Sequence, residues 1–169
     1  MKKFAIVVTV LVMALSGCSA TVPVADKATP TATATPTPTP VLMTVDEAGP
    51  YYLATVCPAN VAASANNAAY VAQDLATIQS TGAAARDAYQ SQIKQFTDPM
   101  KVWPANVAAD IKTLVDSDFQ TVSLLDSVAH AASLDVANTI LFPDEPNVRA
   151  AAQRIRLTLG LSADTSAGC

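Results

Sequence analysis

The sequence predicts an all-α protein: a bundle of four to five helices closed by a disulfide, behind a signal peptide and a disordered Thr/Pro linker. Three observations predict it. Apolar residues after Pro104 recur at spacings of three and four, no segment alternates with period two over the length of a strand, and Cys57 and Cys169 bracket nearly all of the helical part. Alanine dominates an apolar class that makes up 51% of the 169 residues, whereas aromatics supply only 5%. Alanine favours helix but buries little area per side chain, so the core must depend on a few large residues. The expected ones are Trp103, Phe119, Leu125, Ile155 and Leu159.

Composition also excludes function classes. The 10 Lys+Arg are outnumbered by 14 Asp+Glu, a formal charge of −4, which argues against nucleic acid as a partner. His130 is the only histidine, so no histidine-based metal site is expected, and no cofactor or other metal site is indicated. The residues divide into a signal peptide over 1–17, a Thr/Pro-rich disordered stalk over 18–43, and a helical-bundle domain over 44–169.

The first of these rests on Lys2 and Lys3 followed by the apolar run Phe4 to Leu15. Twelve residues fall short of the roughly 20 a spanning helix needs but suit the core of a secretory signal. The run closes with Leu15-Ser16-Gly17-Cys18, which resembles the lipobox of bacterial lipoproteins. The resemblance implies a diacylglycerol thioether on Cys18 and cleavage between Gly17 and Cys18. The chain would then be held by lipid to the cell membrane on its extracytoplasmic face. Removal of Lys2 and Lys3 leaves 8 basic against 14 acidic residues, a charge of −6. Anionic lipid repels such a body, so the anchor and not the protein surface must hold it.

From Ser19 to about Met43 the composition shifts to Thr, Pro and Ala. Each proline removes a backbone donor and drives the preceding residue toward extended geometry. At about 3.1 Å per residue, such a tract lifts the helical domain tens of ångströms above a bilayer. The composition fits a bare spacer and an O-glycosylated stalk equally.

Helical signals begin at Thr44, with Glu47 three residues on to complete a capping box. Pro50 is expected to bend the stretch Ala48 to Cys57, and Pro58 to open a second stretch through Val61, Tyr70, Leu75 and Ile78, interrupted near Asn66-Asn67. The residues alone leave open whether 48–79 form one kinked helix or two. A further helix is expected from Gly82 to Thr97, where Ala85, Tyr89, Ile93 and Phe96 share one stripe and Asp98-Pro99 ends it. Pro104 opens the longest pattern: Val107, Ile111, Leu114, Val115, Phe119, Val122, Leu125 and Ala129. If Phe119 is buried as this stripe suggests, truncating it to alanine costs about 3–5 kcal/mol. Ser133 caps a short helix through Ile140 and Leu141, and Asn147 caps the last, with Gly160 at its left-handed end.

With Cys18 committed to lipid, Cys57 and Cys169 are an even pair in an exported domain, and a disulfide is expected between them. Reaction chemistry is hard to find. There is no nucleophile elbow, phosphate loop or dinucleotide fingerprint, and no Cys-x-x-Cys. Asp116 and Asp118 are the one carboxylate pair that a hydrolase reading could use, and Asp118 falls close enough to the apolar stripe to need a partner. Arg149, Arg154 and Arg156 are the only basic concentration. Arg149, Arg156 and Trp103 are the candidate ligand contacts, with pairing of the arginines to aspartates as the plainer account.

Taken together, the Ala-rich helical body, the Thr/Pro stalk, Tyr51-Tyr52-Leu53 leading to Val56-Cys57-Pro58, and the terminal cysteine resemble alanine-rich lipoproteins of actinobacteria. That group carries no activity to transfer. The expectation is a non-enzymatic, membrane-anchored envelope lipoprotein that displays a helical domain to another envelope protein. The alternative is a small-molecule or ion-binding lipoprotein with a cleft between helices.

Overall fold

A computed structural model describes residues 38–164 and 167–169. The lipobox residues Leu15, Ser16, Gly17 and Cys18, and the stalk up to residue 37, lie outside the described residues. Among the described residues five helices succeed one another: α1 (Val45–Ala72), α2 (Leu75–Phe96), α3 (Ala105–Ala129), α4 (Leu134–Thr139) and α5 (Pro146–Thr158). Helix α1 packs on α2, α2 on α3, and α3 on α5, while the short α4 leans on α2.

Two residues of strand precede the bundle. Strand β1 (Val41–Leu42) pairs in parallel with β2 (Lys101–Val102), Val41 opposite Lys101 and Leu42 opposite Val102. Bonds of 2.9 Å from Val41 N to Met100 O and from Met43 N to Val102 O complete the clamp. It ties the start of the domain to the loop before α3. Elements two residues long are too short to show a period, so they leave no mark on the hydropathy pattern.

Helix α1 starts as expected. The Thr44 hydroxyl accepts from Glu47 N, and the Glu47 carboxylate accepts from Thr44 N at 2.8 Å. These bonds hold the Glu47 carboxyl below its usual range. The helix then runs unbroken through both Pro50 and Pro58, for 28 residues. Each proline forfeits one backbone bond, and tertiary packing of Tyr52, Val56 and Ala59 offsets the loss. Asn66-Asn67 does not interrupt it either. The Asn66 amide is turned inward, donating to Ile78 O at 3.1 Å and Thr81 Oγ1 at 3.0 Å.

The break falls instead at Gln73, the only non-glycine residue among those described with positive φ (55°), and Asp74 then caps α2 through Ala76 N. Leu75 and Ile78 therefore begin α2 rather than end α1. Gly82, expected at a helix start, sits inside α2 for a different reason. A Cβ there would stand 2.7 Å from Val128 Cγ1, so glycine is what lets α2 approach α3.

Helices α4 and α5 show the same mixture. Ser133 caps α4 by accepting from Val136 N, but the helix ends at Thr139 and leaves Ile140 and Leu141 beyond it. Helix α5 is capped at Glu145 with Pro146 in its first turn, so Asn147 lies inside the helix rather than at its cap. Gly160 takes φ +70° beyond its end, with Leu161 N bonded to Arg156 O at 2.8 Å.

Most of the core gathers around Tyr52, Val56, Phe96, Trp103, Val107, Ile111, Leu114 and Ile155, and a smaller cluster joins Ala69, Ile78, Val128, Ala131 and Ala137. Trp103, Leu125, Ile155 and Leu159 are buried as expected. Phe119 is not: it is 59% exposed. Asp118 takes the inward position seven residues after Ile111 and seven before Leu125, which turns Phe119 about 100° away. The Phe119→Ala change is therefore expected to cost about 1 kcal/mol or less, not 3–5, because little apolar area is uncovered. Chemical denaturation of that variant checks the assignment, with Ile111→Ala as the buried comparison at about 2–5 kcal/mol.

Candidate functional site

The cysteines expected to pair do so. The Cys57–Cys169 disulfide joins the middle of α1 to the chain terminus across 112 residues. Beside it lies Arg156, one of the expected ligand contacts. Its side chain is only 2% exposed, and it donates from Nε to Ser162 O and from Nη2 to Ala167 O, both at 2.6 Å. The guanidinium thus fastens the tail that carries Cys169 and has no open face for a ligand. Its neighbour Tyr52 is buried, and desolvation pushes that hydroxyl up to about 12 against the opposing pull of the Arg156 cation.

The other two candidates are committed elsewhere. Arg149 pairs with Asp144 on the surface and Arg154 with Asp110 at 2.5 Å, the plainer reading of the basic concentration. The guanidinium beside Asp144 holds that carboxyl below its usual range. Trp103 is a core anchor: its Nε1 donates to Phe96 O at 3.1 Å, and its ring lies 5.5 Å from Tyr51 and 5.7 Å edge-on to Phe96. Arg149 thus lies on the surface, whereas Arg156 and Trp103 are buried and donate to backbone carbonyls.

The carboxylate pair separates in the same way. Asp116 is exposed and bonded to Lys112 at 2.5 Å, whereas Asp118 is 6% exposed and accepts from Gln92 Nε2 at 2.7 Å. Burial is the main cause that raises the Asp118 carboxyl to about 7, the Gln92 bond opposes it, and the charge of Glu145 adds to it. Among the described residues, Gln92 Oε1 is the one buried side-chain polar atom without a partner. His130 caps α3 from an exposed position, its Nδ1 2.8 Å from Asp126 O. Among the described residues no group of three or more His, Cys, Asp or Glu is placed to hold a metal ion, and no helix is long and apolar enough to cross a membrane.

A feature that sequence reasoning does not reach is a cavity of about 210 Å³ where α1, α2 and α3 meet the segment after α4. Its polar lining comes from Asn66, Asn67, Tyr89 and Thr121. These are separated along the chain, and only the helix packing collects them, so no local spacing announces the site. Compared with protein-family models, curated proteins and solved structures, the chain matches none. Functional inference therefore rests on the chemistry of its own residues.

Proposed function

We propose that the protein is a lipid-anchored lipoprotein of the cell envelope, a display domain without reaction chemistry of its own. It is carried on a Thr/Pro stalk on the extracytoplasmic side of the membrane. The observation that carries this reading is the N-terminal series Lys2-Lys3, the apolar run, and Leu15-Ser16-Gly17-Cys18. The disulfide supports it in two ways. A bridge of this kind belongs to an oxidising compartment, and it leaves Cys18 as the odd cysteine of three. An interaction role is supported by Phe119, which stands exposed beside Arg86 between α2 and α3, since aromatic and arginine side chains dominate protein contacts.

Intact-mass spectrometry of the membrane-extracted protein tests the anchor. The expected mass lacks residues 1–17 and carries acyl groups on a chain that starts at Cys18. The Cys18→Ser variant is expected to leave the membrane fraction or to retain its first 17 residues. A Cys18→Ser protein that stays in the membrane fraction with residues 1–17 removed would overturn the reading.

A further inference from the structure

The small cavity between α1, α2 and α3 is chemically distinctive in this protein. An engineered cavity of about 150 Å³ holds one benzene, and pockets for drug-sized ligands begin near 300 Å³. At about 210 Å³ the volume suits a single substituted six-membered ring. None of its lining side chains is charged, in a domain whose surface is otherwise rich in aspartate. A charged ligand would lose its hydration there and gain no counter-charge.

The polar groups that line it are short of partners. Asn66 is 3% exposed and donates both Nδ2 bonds to protein, whereas its Oδ1 accepts none among the described residues and, unlike Gln92 Oε1, is not fully enclosed. The half-buried Tyr89 and Thr121 hydroxyls make no hydrogen bond to the described residues, and Asn67 lies at the exposed rim; all border the cavity with Asn66. An all-carbon ring would fit the space but strip these groups of water and leave them unpaired, which weakens binding with each one desolvated. Hydroxyl groups satisfy them, because every hydroxyl both donates and accepts. The remaining wall is apolar: Leu125 at one side and Phe142, 43% exposed, at the solvent edge, where the C–H face of a saturated ring can lie against an aromatic one.

We propose that this cavity is a binding site for one neutral, hydroxyl-rich ring, the size of a single hexopyranose unit. Asn66, Asn67, Tyr89 and Thr121 supply its hydrogen bonds, and Leu125 and Phe142 supply its apolar wall. The assignment is independent of the lipid anchor and stands if the anchor reading fails.

Saturation-transfer NMR tests it on the full chain with the disulfide intact, in a detergent without a sugar headgroup. The probes are methyl glucoside, methyl mannoside and methyl galactoside at millimolar concentration, with benzamide as an uncharged aromatic of similar size. At least one glycoside is expected to receive saturation on its ring protons. Tyr89→Phe, which keeps the ring and removes the hydroxyl, is expected to weaken binding about fivefold or more, in line with the loss of one hydrogen bond. Ala63→Leu, which fills the cavity wall on α1, is expected to abolish it; if that variant does not fold, Thr121→Val replaces it with an expected loss like that of Tyr89→Phe. Absence of transfer to all three glycosides overturns the proposal. So does transfer that the variants leave unchanged, and so does a benzamide signal without a glycoside signal.

Discussion

Reduction of the Cys57–Cys169 bridge is expected to lower the unfolding free energy by about 4–5 kcal/mol, a large share of the roughly 5–15 kcal/mol that holds a domain together. The bridge closes a loop of 112 residues, and the entropy removed from the unfolded chain grows with the logarithm of that length. Native contacts add to the effect. Gly168 lies against Leu53, the Ala167 carbonyl accepts from Arg156 Nη2 at 2.6 Å, and Cys57 packs on the main core. With the terminus released, these contacts must hold a fraying tail unaided, and a buried guanidinium loses an acceptor whenever the tail frays, which is costly when charge cannot reach water. Denaturant midpoints of the oxidised protein, the reduced protein and a Cys57→Ala/Cys169→Ala double variant measure it. The reduced and doubly substituted forms are expected to agree, with a larger denaturant dependence than the oxidised form because their unfolded chains expand further. Equal midpoints for all three would mean that the helical packing alone carries the stability.

Much of the scaffold is legible in the residues, and the parts that are not share one physical origin. Signals that belong to a single turn are plain: the Thr44–Glu47 box, the Ser133 cap and the left-handed Gly160 each depend on atoms within a few residues. Signals settled by distant partners are not. By local chemistry Pro50 should bend a helix and Pro58 should open a new one, yet packing along α1 overrides both. Gly82 looks like a boundary until Val128 is seen opposite it, and Asn66 looks like a breaker until Ile78 O and Thr81 Oγ1 are found beside its amide.

Phe119 and Asp118 show the limit most directly. Periodicity assigns the inward position to the apolar residue of two neighbours, whereas the fold gives it to the acid, because Gln92 on α2 supplies a donor there. The need of Asp118 for a partner is readable from its place near the stripe; the identity of that partner, 26 residues earlier, is not. Arg156 is opaque for the same reason. Its acceptors are backbone carbonyls of the tail, which no side-chain pattern encodes. The cavity lined by Asn66, Tyr89 and Thr121 lies beyond sequence reasoning altogether, since it is a by-product of how three helices meet.

The same Asp118 makes the second large prediction, a stability that falls as pH rises from about 4 to about 7. The ordinary carboxyl value of 3.8 applies to the unfolded chain, and the buried group titrates near 7. Between those values the folded state binds more protons than the unfolded state, so unfolding free energy decreases with pH. The contribution is fully present below about 3.8, is lost progressively up to about 7, and is absent above it. A shift of that size corresponds to about 4 kcal/mol as a ceiling, and relaxation with water entry reduces it to about 2. Other charged and titratable neighbours do not reverse the sign: Glu145 repels the ionised form, Tyr52 and Tyr89 stay neutral over this range, and Arg156 is engaged by the tail. The Gln92 Nε2 donor favours the ionised form and offsets part of the shift without cancelling it. The carboxylate accepts from Nε2, while Gln92 Oε1 is buried without a partner among the described residues. Asp118→Asn keeps a donor and an acceptor without the charge. It is expected to match the parent protein below about pH 4 and to exceed it by about 2 kcal/mol at about pH 8, flattening the profile between. Denaturant titrations of both proteins at a series of pH values provide the check. A parent profile that Asp118→Asn leaves unaltered would show that the carboxyl ionises in the fold near its ordinary value.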